Sequence, residues 1–233
     1  MNLELSIKDV SVMIGMPTHR DIPPATVKCL LETQQTMHMR GMDYHIEIQH
    51  GSSLVHHART KTAHSFLKSN FKRLFWIDSD IVWRAEDFLK LVALSTKMEC
   101  VCASYPLRHD PIEFNLNVES VTTPMLMNQY GCLPVKGAGL GFTIVQRKVM
   151  EELAAKAPKL KFPTTGDELV ANIFRCDDSD GLARGEDMAF FADVLDLGYT
   201  VNLDPTIELG HIGSKEYTGS IIDHLVKTKL EAA

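Results

Sequence analysis

Apolar and β-branched positions run almost unbroken over residues 10–16 and stop at Pro17, the pattern of a buried strand. Pro23-Pro24 then opens a helical stretch reaching about Met39, with the prolines in the first turn, where a helix tolerates them. Alternation over residues 44–49 predicts a second strand. Ser52-Ser53 can cap a following helix that turns Ala58, Ala63, Phe66 and Leu67 to the core. Residues 71–77 read as a third strand, 86–95 as a helix and 101–104 as a fourth strand. Strand and helix alternate throughout this half, which implies a largely parallel sheet flanked by helices.

Between Tyr105 and Gly137 the periodicity fades, with prolines at Pro106, Pro111, Pro124 and Pro134. A connection this long inside a compact domain is functional or hides elements of its own. Residues 141–146 resume as a strand, followed by a helix over 147–157. Residues 160–180 form a second irregular stretch. A helix over 188–197 is ended by Gly198, then come a short strand over 199–203 and a helical tail over 221–230. No repeat or low-complexity linker divides the 233 residues, so the expectation is one α/β domain.

The totals change this picture little. A content of 45% hydrophobic and 23% charged residues is that of an ordinary globular protein. A net charge of −6 weighs mildly against a protein built to grip nucleic acid. Five cysteines without a C-x-x-C pair read as reduced thiols, with Cys100 and Cys102 facing the same way along a strand. No apolar run approaches the roughly 20 residues of a membrane helix. The start, Met1-Asn2-Leu3-Glu4-Leu5, lacks a signal-peptide pattern. A cytoplasmic enzyme with no stable membrane insertion is expected.

The chemistry concentrates at Leu74-Phe75-Trp76-Ile77-Asp78-Ser79-Asp80. Four apolar residues deliver two carboxylates to the carboxyl end of a strand, where open α/β sheets bind ligands. In extended chain, residues i and i+2 point the same way, so Asp78 and Asp80 are expected to converge. Converging carboxylates repel unless a cation sits beside them. A hard divalent ion that also holds a diphosphate would satisfy both.

This strand, its acidic pair and the helix near Glu86 resemble the D-x-D segment of GT-A glycosyltransferases, the family-2-like enzymes in particular. Three more pieces occur in that family's order. Met16-Pro17-Thr18 is similar to the loop under the nucleotide. Ala58-Arg59, about 19 residues before Asp78, matches the place of a base-contacting Arg. Gly185-Glu186-Asp187 resembles the E-D motif on the acceptor side. The resemblance covers residues 10–213. It implies a single GT-A, Rossmann-like domain, with residues 1–104 as the nucleotide-sugar-binding half and 105–233 as the acceptor-side half.

The resemblance also implies roles. Asp187 would be the general base and Glu186 would orient the acceptor. Pro17, Thr18, Arg20, Arg59 and Asp78 would contact the donor. Asp78, Asp80 and His211 would hold a metal, since His211 follows the final strand where such enzymes carry a further ligand. Mixed carboxylate and imidazole ligation favours Mn²⁺, with Mg²⁺ the second candidate. In His211-Ile212-Gly213-Ser214-Lys215, the Lys is similar to one that meets the diphosphate in some retaining relatives. The donor implied by the resemblance is a nucleoside-diphosphate sugar. The acceptor (glycan, lipid, protein or modified nucleobase) stays open, as does the oligomeric state.

Other signals lead elsewhere. Gly137-Ala138-Gly139-Leu140-Gly141 precedes a strand and is not a dinucleotide fingerprint; it suits close backbone approach to the donor sugar or the acceptor. Asp178-Ser179-Asp180-Gly181 lacks the Glu that a calcium loop needs at its twelfth position. His56, His57 and His64 have no spaced partner to complete a zinc site. A metal-dependent nucleotidyltransferase or pyrophosphorylase is the rival enzyme, although Pro17-Thr18-His19-Arg20 lacks the glycines of its phosphate loop. A non-catalytic sugar-nucleotide-binding module is the rival from another class.

Overall fold

The computed structural model describes residues 10–118, 125–162, 167–176, 181 and 183–231. The first units are β1 (Ser11–Thr18), α1 (Pro24–Met39), β2 (Asp43–His50), α2 (Val55–Lys68) and β3 (Arg73–Ile77). Then come β4 (Ile81–Val82), α3 (Ala85–Leu94), β5 (Cys100–Cys102), β6 (Leu116–Asn117), β7 (Leu133–Val135), β8 (Gly137–Ala138) and β9 (Phe142–Gln146). The rest comprises α4 (Arg147–Lys156), β10 (Lys159–Lys161), β11 (Leu169–Ala171), α5 (Glu186–Asp196), β12 (Val201–Leu203), β13 (Gly210–Ile212), β14 (Glu216–Thr218) and α6 (Ile221–Glu231).

Seven strands form the central sheet in the order β2-β1-β3-β9-β5-β12-β7. Strands β1, β2, β3, β5 and β12 share one direction, and β9 and β7 oppose it. The expected mostly parallel α/β sheet is therefore present. Alternate side chains feed two cores, one on each face. Val12, Ile14 and Met16 of β1 join Phe75 and Ile77 of β3 against α1 and α3. Met13, Leu74 and Trp76 face the other way, with Phe66 of α2, Val149 of α4 and Phe190 of α5. Cys100 and Cys102 share this second face.

Several boundaries differ from the sequence expectation, each for a physical reason. β1 continues through Pro17 and Thr18, pairing with β2 there, because β3 reaches only Val12–Gly15 of β1. A residue without an N–H fits where the strand has lost its second neighbour. Pro134 likewise sits inside β7, the last strand of the sheet. The stretch 105–137, featureless in sequence, thus holds an edge strand whose proline masks it. Ser52 does not cap α2: its hydroxyl donates to the Leu54 carbonyl at 2.9 Å, and Leu54 is the N-cap, with no side-chain cap bond. Gly198 does end α5, in the left-handed conformation at φ 85°.

Two small features position the site. β4 pairs antiparallel with β13, and β13 with β14, in a three-stranded sheet beside the main one. Thr26 of α1 fixes β4 by donating to the Ile81 carbonyl at 2.9 Å, and Trp83 donates to Thr33 at 2.8 Å. On the other side, α5 lies close over β8. A Cβ at Gly137 would meet Met188 Sδ at 3.0 Å, so glycine there lets the helix approach.

Candidate active site

A cleft of about 370 Å³ lies at the carboxyl ends of β1 and β3. Pro17, Thr18 and His19 from the end of β1 form one wall, with Ser52, Ser53 and Val55 at the start of α2. Arg59, Asp78, Ser79, Asp80, Arg108, Glu186 and Asp187 complete it. Residues far apart in sequence meet here because parallel strands end together and α5 begins at the same level.

Asp78 and Asp80 line the same cleft but take separate sets of partners. The chain leaves β3 in a turn, with the Ile81 N–H donating to the Asp78 carbonyl at 3.3 Å, so the strand rule for i and i+2 no longer applies. Asp78 Oδ1 accepts from Arg59 Nη2 at 2.7 Å, and its Oδ2 accepts from the Tyr105 hydroxyl at 3.4 Å. Asp80 Oδ2 takes Arg108 Nη1 at 2.8 Å and faces His211 Nε2 at 3.4 Å.

Arg59 is a buried hub, its side chain 3% exposed. Besides Asp78 it reaches Glu186, Nε to Oε1 at 3.4 Å, and its guanidinium lies 5.6 Å from the Trp76 ring. Burial alone would lower its pKa, but the charges of Asp78 and Glu186 outweigh that and raise it. Its Nη1 is buried without a hydrogen-bond partner. Removing one member of a buried charge cluster strands the others, at about 3–5 kcal/mol. Arg59→Ala is therefore expected to lower the unfolding free energy by about 3 kcal/mol, since Asp78 and Glu186 keep some access to solvent. Denaturant unfolding checks this; an unchanged midpoint would show that Asp78 and Glu186 do not depend on Arg59 for stability.

Asp187, in the first turn of α5, accepts from the Met188 N–H at 3.0 Å. Burial raises its pKa, the nearby Glu186 adds to the rise, and the Met188 N–H and Arg59 partly oppose it. His211 is held in a defined tautomer. Its Nδ1 lies 2.8 Å from the Pro106 carbonyl, which can only accept, so Nδ1 carries a proton and Nε2 is turned towards Asp80. The β4–β13 pairing sets His211 opposite Ile81, and the Ile212 N–H donates to the Asp80 carbonyl at 2.8 Å.

Two site residues carried no sequence signal. Tyr105 is buried with its hydroxyl between the Gly141 N–H, at 3.2 Å, and Asp78. Burial, then Asp78, pushes its pKa well up, so it stays a neutral hydroxyl. Arg108 comes from the irregular stretch after β5. The glycines before β9 serve these side chains: a Cβ at Gly139 would fall 2.4 Å from the Tyr105 hydroxyl, and one at Gly141 2.4 Å from Asp78 Oδ2. At these two glycines the chain's own side chains make a close approach to the backbone. Gly141→Ala is expected to destabilise by about 1–3 kcal/mol, the usual cost of overpacking. An unshifted thermal midpoint would show that Asp78 moves freely.

Lys215 and Arg20 stand apart from this group. Lys215 pairs with Asp110 at 2.6 Å on the surface. Arg20 is exposed and meets the Thr18 hydroxyl only through its own carbonyl, at 3.2 Å. Residues 178–180 lie outside the described residues. Among the described residues no three His, Cys, Asp or Glu side chains already group to hold a metal, and no helix is long and apolar enough to cross a membrane.

No protein-family model and no curated protein matches the chain. Among solved structures it is similar to GalNAc-T7, a glycosyltransferase crystallised with UDP, GalNAc and Mn²⁺, at 10% identity and a TM-score of 0.52. The match covers 88% of this chain and 44% of that one, so the chain spans under half the length of this neighbour. The fold is GT-A. At this identity the likeness concerns the GT-A architecture alone and does not single out the family-2-like enzymes.

Proposed function

We propose that the chain is a metal-dependent glycosyltransferase, a single GT-A domain moving a sugar from a nucleoside-diphosphate sugar to an acceptor hydroxyl. The observation that carries the proposal is the one cleft in which Asp78, Asp80, Glu186 and Asp187 stand together, with His211 turned to Asp80. The GT-A fold supports it, and residues 1–104 then form the donor half.

The side chains present fit a divalent ion. With Nδ1 committed to Pro106, His211 Nε2 is left either protonated or as a lone pair facing a carboxylate oxygen. The second state needs a cation between the two. A backbone carbonyl behind the ring is also the usual support for a metal-ligating His. Asp80 and His211 would hold Mn²⁺, the better match to a mixed oxygen and nitrogen donor set. When bound, such an ion offsets the charge that develops on a leaving diphosphate.

The chain's own residues do the rest. Pro17, Thr18 and the start of α2 receive the nucleotide. Asp78, held by Arg59 and Tyr105, orients the ribose or the sugar. Asp187 takes the proton from the acceptor hydroxyl, and its raised pKa suits that task. Glu186, fixed by Arg59, orients the acceptor.

Titration of UDP-, GDP- and TDP-sugars with and without Mn²⁺, followed by a hydrolysis assay, tests the reading. Binding that needs Mn²⁺, with slow release of free sugar, is expected. Tight binding without turnover would point to a sugar-holding module. Release of a nucleoside triphosphate on adding pyrophosphate would point to a nucleotidyltransferase.

A further inference from the structure

We infer that Arg108 stands in for the divalent cation at Asp80 in the free protein, and becomes a ligand of the donor's diphosphate once that cation is bound. The inference rests on the metal-dependent reading above and adds to it a donor-binding residue that no sequence motif marks.

The geometry is specific to one atom. Arg108 Nη1, at 2.8 Å, and His211 Nε2, at 3.4 Å, both address Asp80 Oδ2. A divalent ion shared by Asp80 and His211 would draw on that same oxygen and would meet the Arg108 guanidinium as a like charge. Two cations drawn to one carboxylate oxygen repel each other, so binding of the ion loosens the Arg108 pair and the pair opposes the ion.

The seat for Arg108 is built, not incidental. Its stem packs on the hairpin that carries His211: a Cβ at Gly213 would meet Arg108 Cδ at 3.1 Å and Cβ at 3.4 Å. The same loop is tied to the hairpin by the Lys215–Asp110 pair. The group at the end of that stem is nonetheless free to move, because the side chain is 53% exposed. Arg59 offers no such freedom, being buried and bonded to Asp78 and Glu186.

Charge decides where the released guanidinium goes. Asp78 and Glu186 share Arg59, and the incoming ion takes over the pairing with Asp80. Arg108 then lines the cleft without its partner, a mobile cation available to an incoming polyanion. A guanidinium binds phosphate oxygens in a bidentate, charge-assisted way. Lys215 is paired on the surface with Asp110.

The test uses the whole chain with two substitutions. Arg108→Ala and Arg108→Lys are compared with the unsubstituted protein, first for Mn²⁺ alone by calorimetry or by the spin-resonance signal of free Mn²⁺. They are then compared for preformed Mn²⁺–pyrophosphate, which presents a diphosphate without a base. Arg108→Ala should bind Mn²⁺ about tenfold more tightly, the effect of losing a charge-assisted competitor worth about 1.4 kcal/mol. It should bind Mn²⁺–pyrophosphate about tenfold more weakly, with Arg108→Lys between the two. Mn²⁺ affinity that is unchanged, weakened or absent in both proteins overturns the inference. So does pyrophosphate affinity that ignores the substitution. Donor hydrolysis reads the proposed function separately: opposite shifts without any turnover would remove the transferase and leave Arg108 in its role.

Discussion

Asp187→Asn is expected to cut turnover by roughly 10²–10⁴-fold, the usual worth of a general base, while donor affinity stays as it was. The substitution preserves the shape and the oxygen that accepts from the Met188 N–H, so α5 should keep its start. What it removes is the ability to take a proton. Two pH effects follow from the raised pKa, whose main cause is burial, with Glu186 second. First, the acid limb of the rate profile should lie above the ordinary carboxylate range, turnover rising as pH climbs through the elevated value. Second, a carboxyl whose folded pKa exceeds its unfolded one favours folding while protonated, and that contribution is lost as pH rises through the folded pKa. At neutral pH the wild-type chain therefore carries a buried charge that Asp187→Asn relieves. The variant should melt higher than wild type at pH 7, with the gap closing below the unfolded carboxylate pKa. Collapse of donor binding in the variant would make Asp187 a structural residue or a metal neighbour.

Much of this site could be read from the sequence because its residues end strongly periodic elements. Asp78 closes the apolar run of β3, and Glu186-Asp187 open a helix, so periodicity alone brought them to a strand end and a helix start. Arg59 was found by spacing, yet its burial was also legible. It shares a helical stripe with Thr62, Ala63 and Phe66, all buried, and a guanidinium on such a stripe must have carboxylate partners. His211 shows the limit. Its residue type was visible, but its contact with Asp80 depends on pairing between β4, two residues long, and β13, three residues long. Strands that short carry no alternation to detect. Tyr105 and Arg108 were missed because nothing periodic marks a loop residue whose partners are fixed by the whole fold. The antiparallel insertion of β9 between β3 and β5 was hidden similarly, since strand direction is set by the path of the 105–137 connection and not by composition.

Asp80→Ala is expected to abolish Mn²⁺-dependent donor binding altogether. Of the expected metal-binding residues, Asp80 has no substitute: Asp78 is held by Arg59 and Tyr105, and His211 alone offers one nitrogen. The Asp80 carboxyl is also held below the ordinary carboxylate range. Burial pushes its pKa up, but the hydrogen bond and charge of His211 and the charge of Arg108 more than offset this and lower it. By linkage, a depressed folded pKa gives stability that is present above the unfolded value and lost as pH falls through the folded one. Asp80→Asn should therefore melt below wild type at pH 7 and converge with it in acid. Metal adds a readout independent of turnover. An ion at roughly 100 times its dissociation constant stabilises a folded protein by about 2.7 kcal/mol, so Mn²⁺ should raise the wild-type Tm and leave that of Asp80→Ala where it is. The alanine variant keeps β4 paired with β13, because the Ile212 N–H bonds to the backbone carbonyl of residue 80 and not to the lost side chain. Near-native circular dichroism is thus expected beside the missing metal response. A Tm for Asp80→Ala that climbs with Mn²⁺ as wild type does, or donor binding that survives at saturating Mn²⁺, would move the metal away from Asp80 and end this account of the cleft.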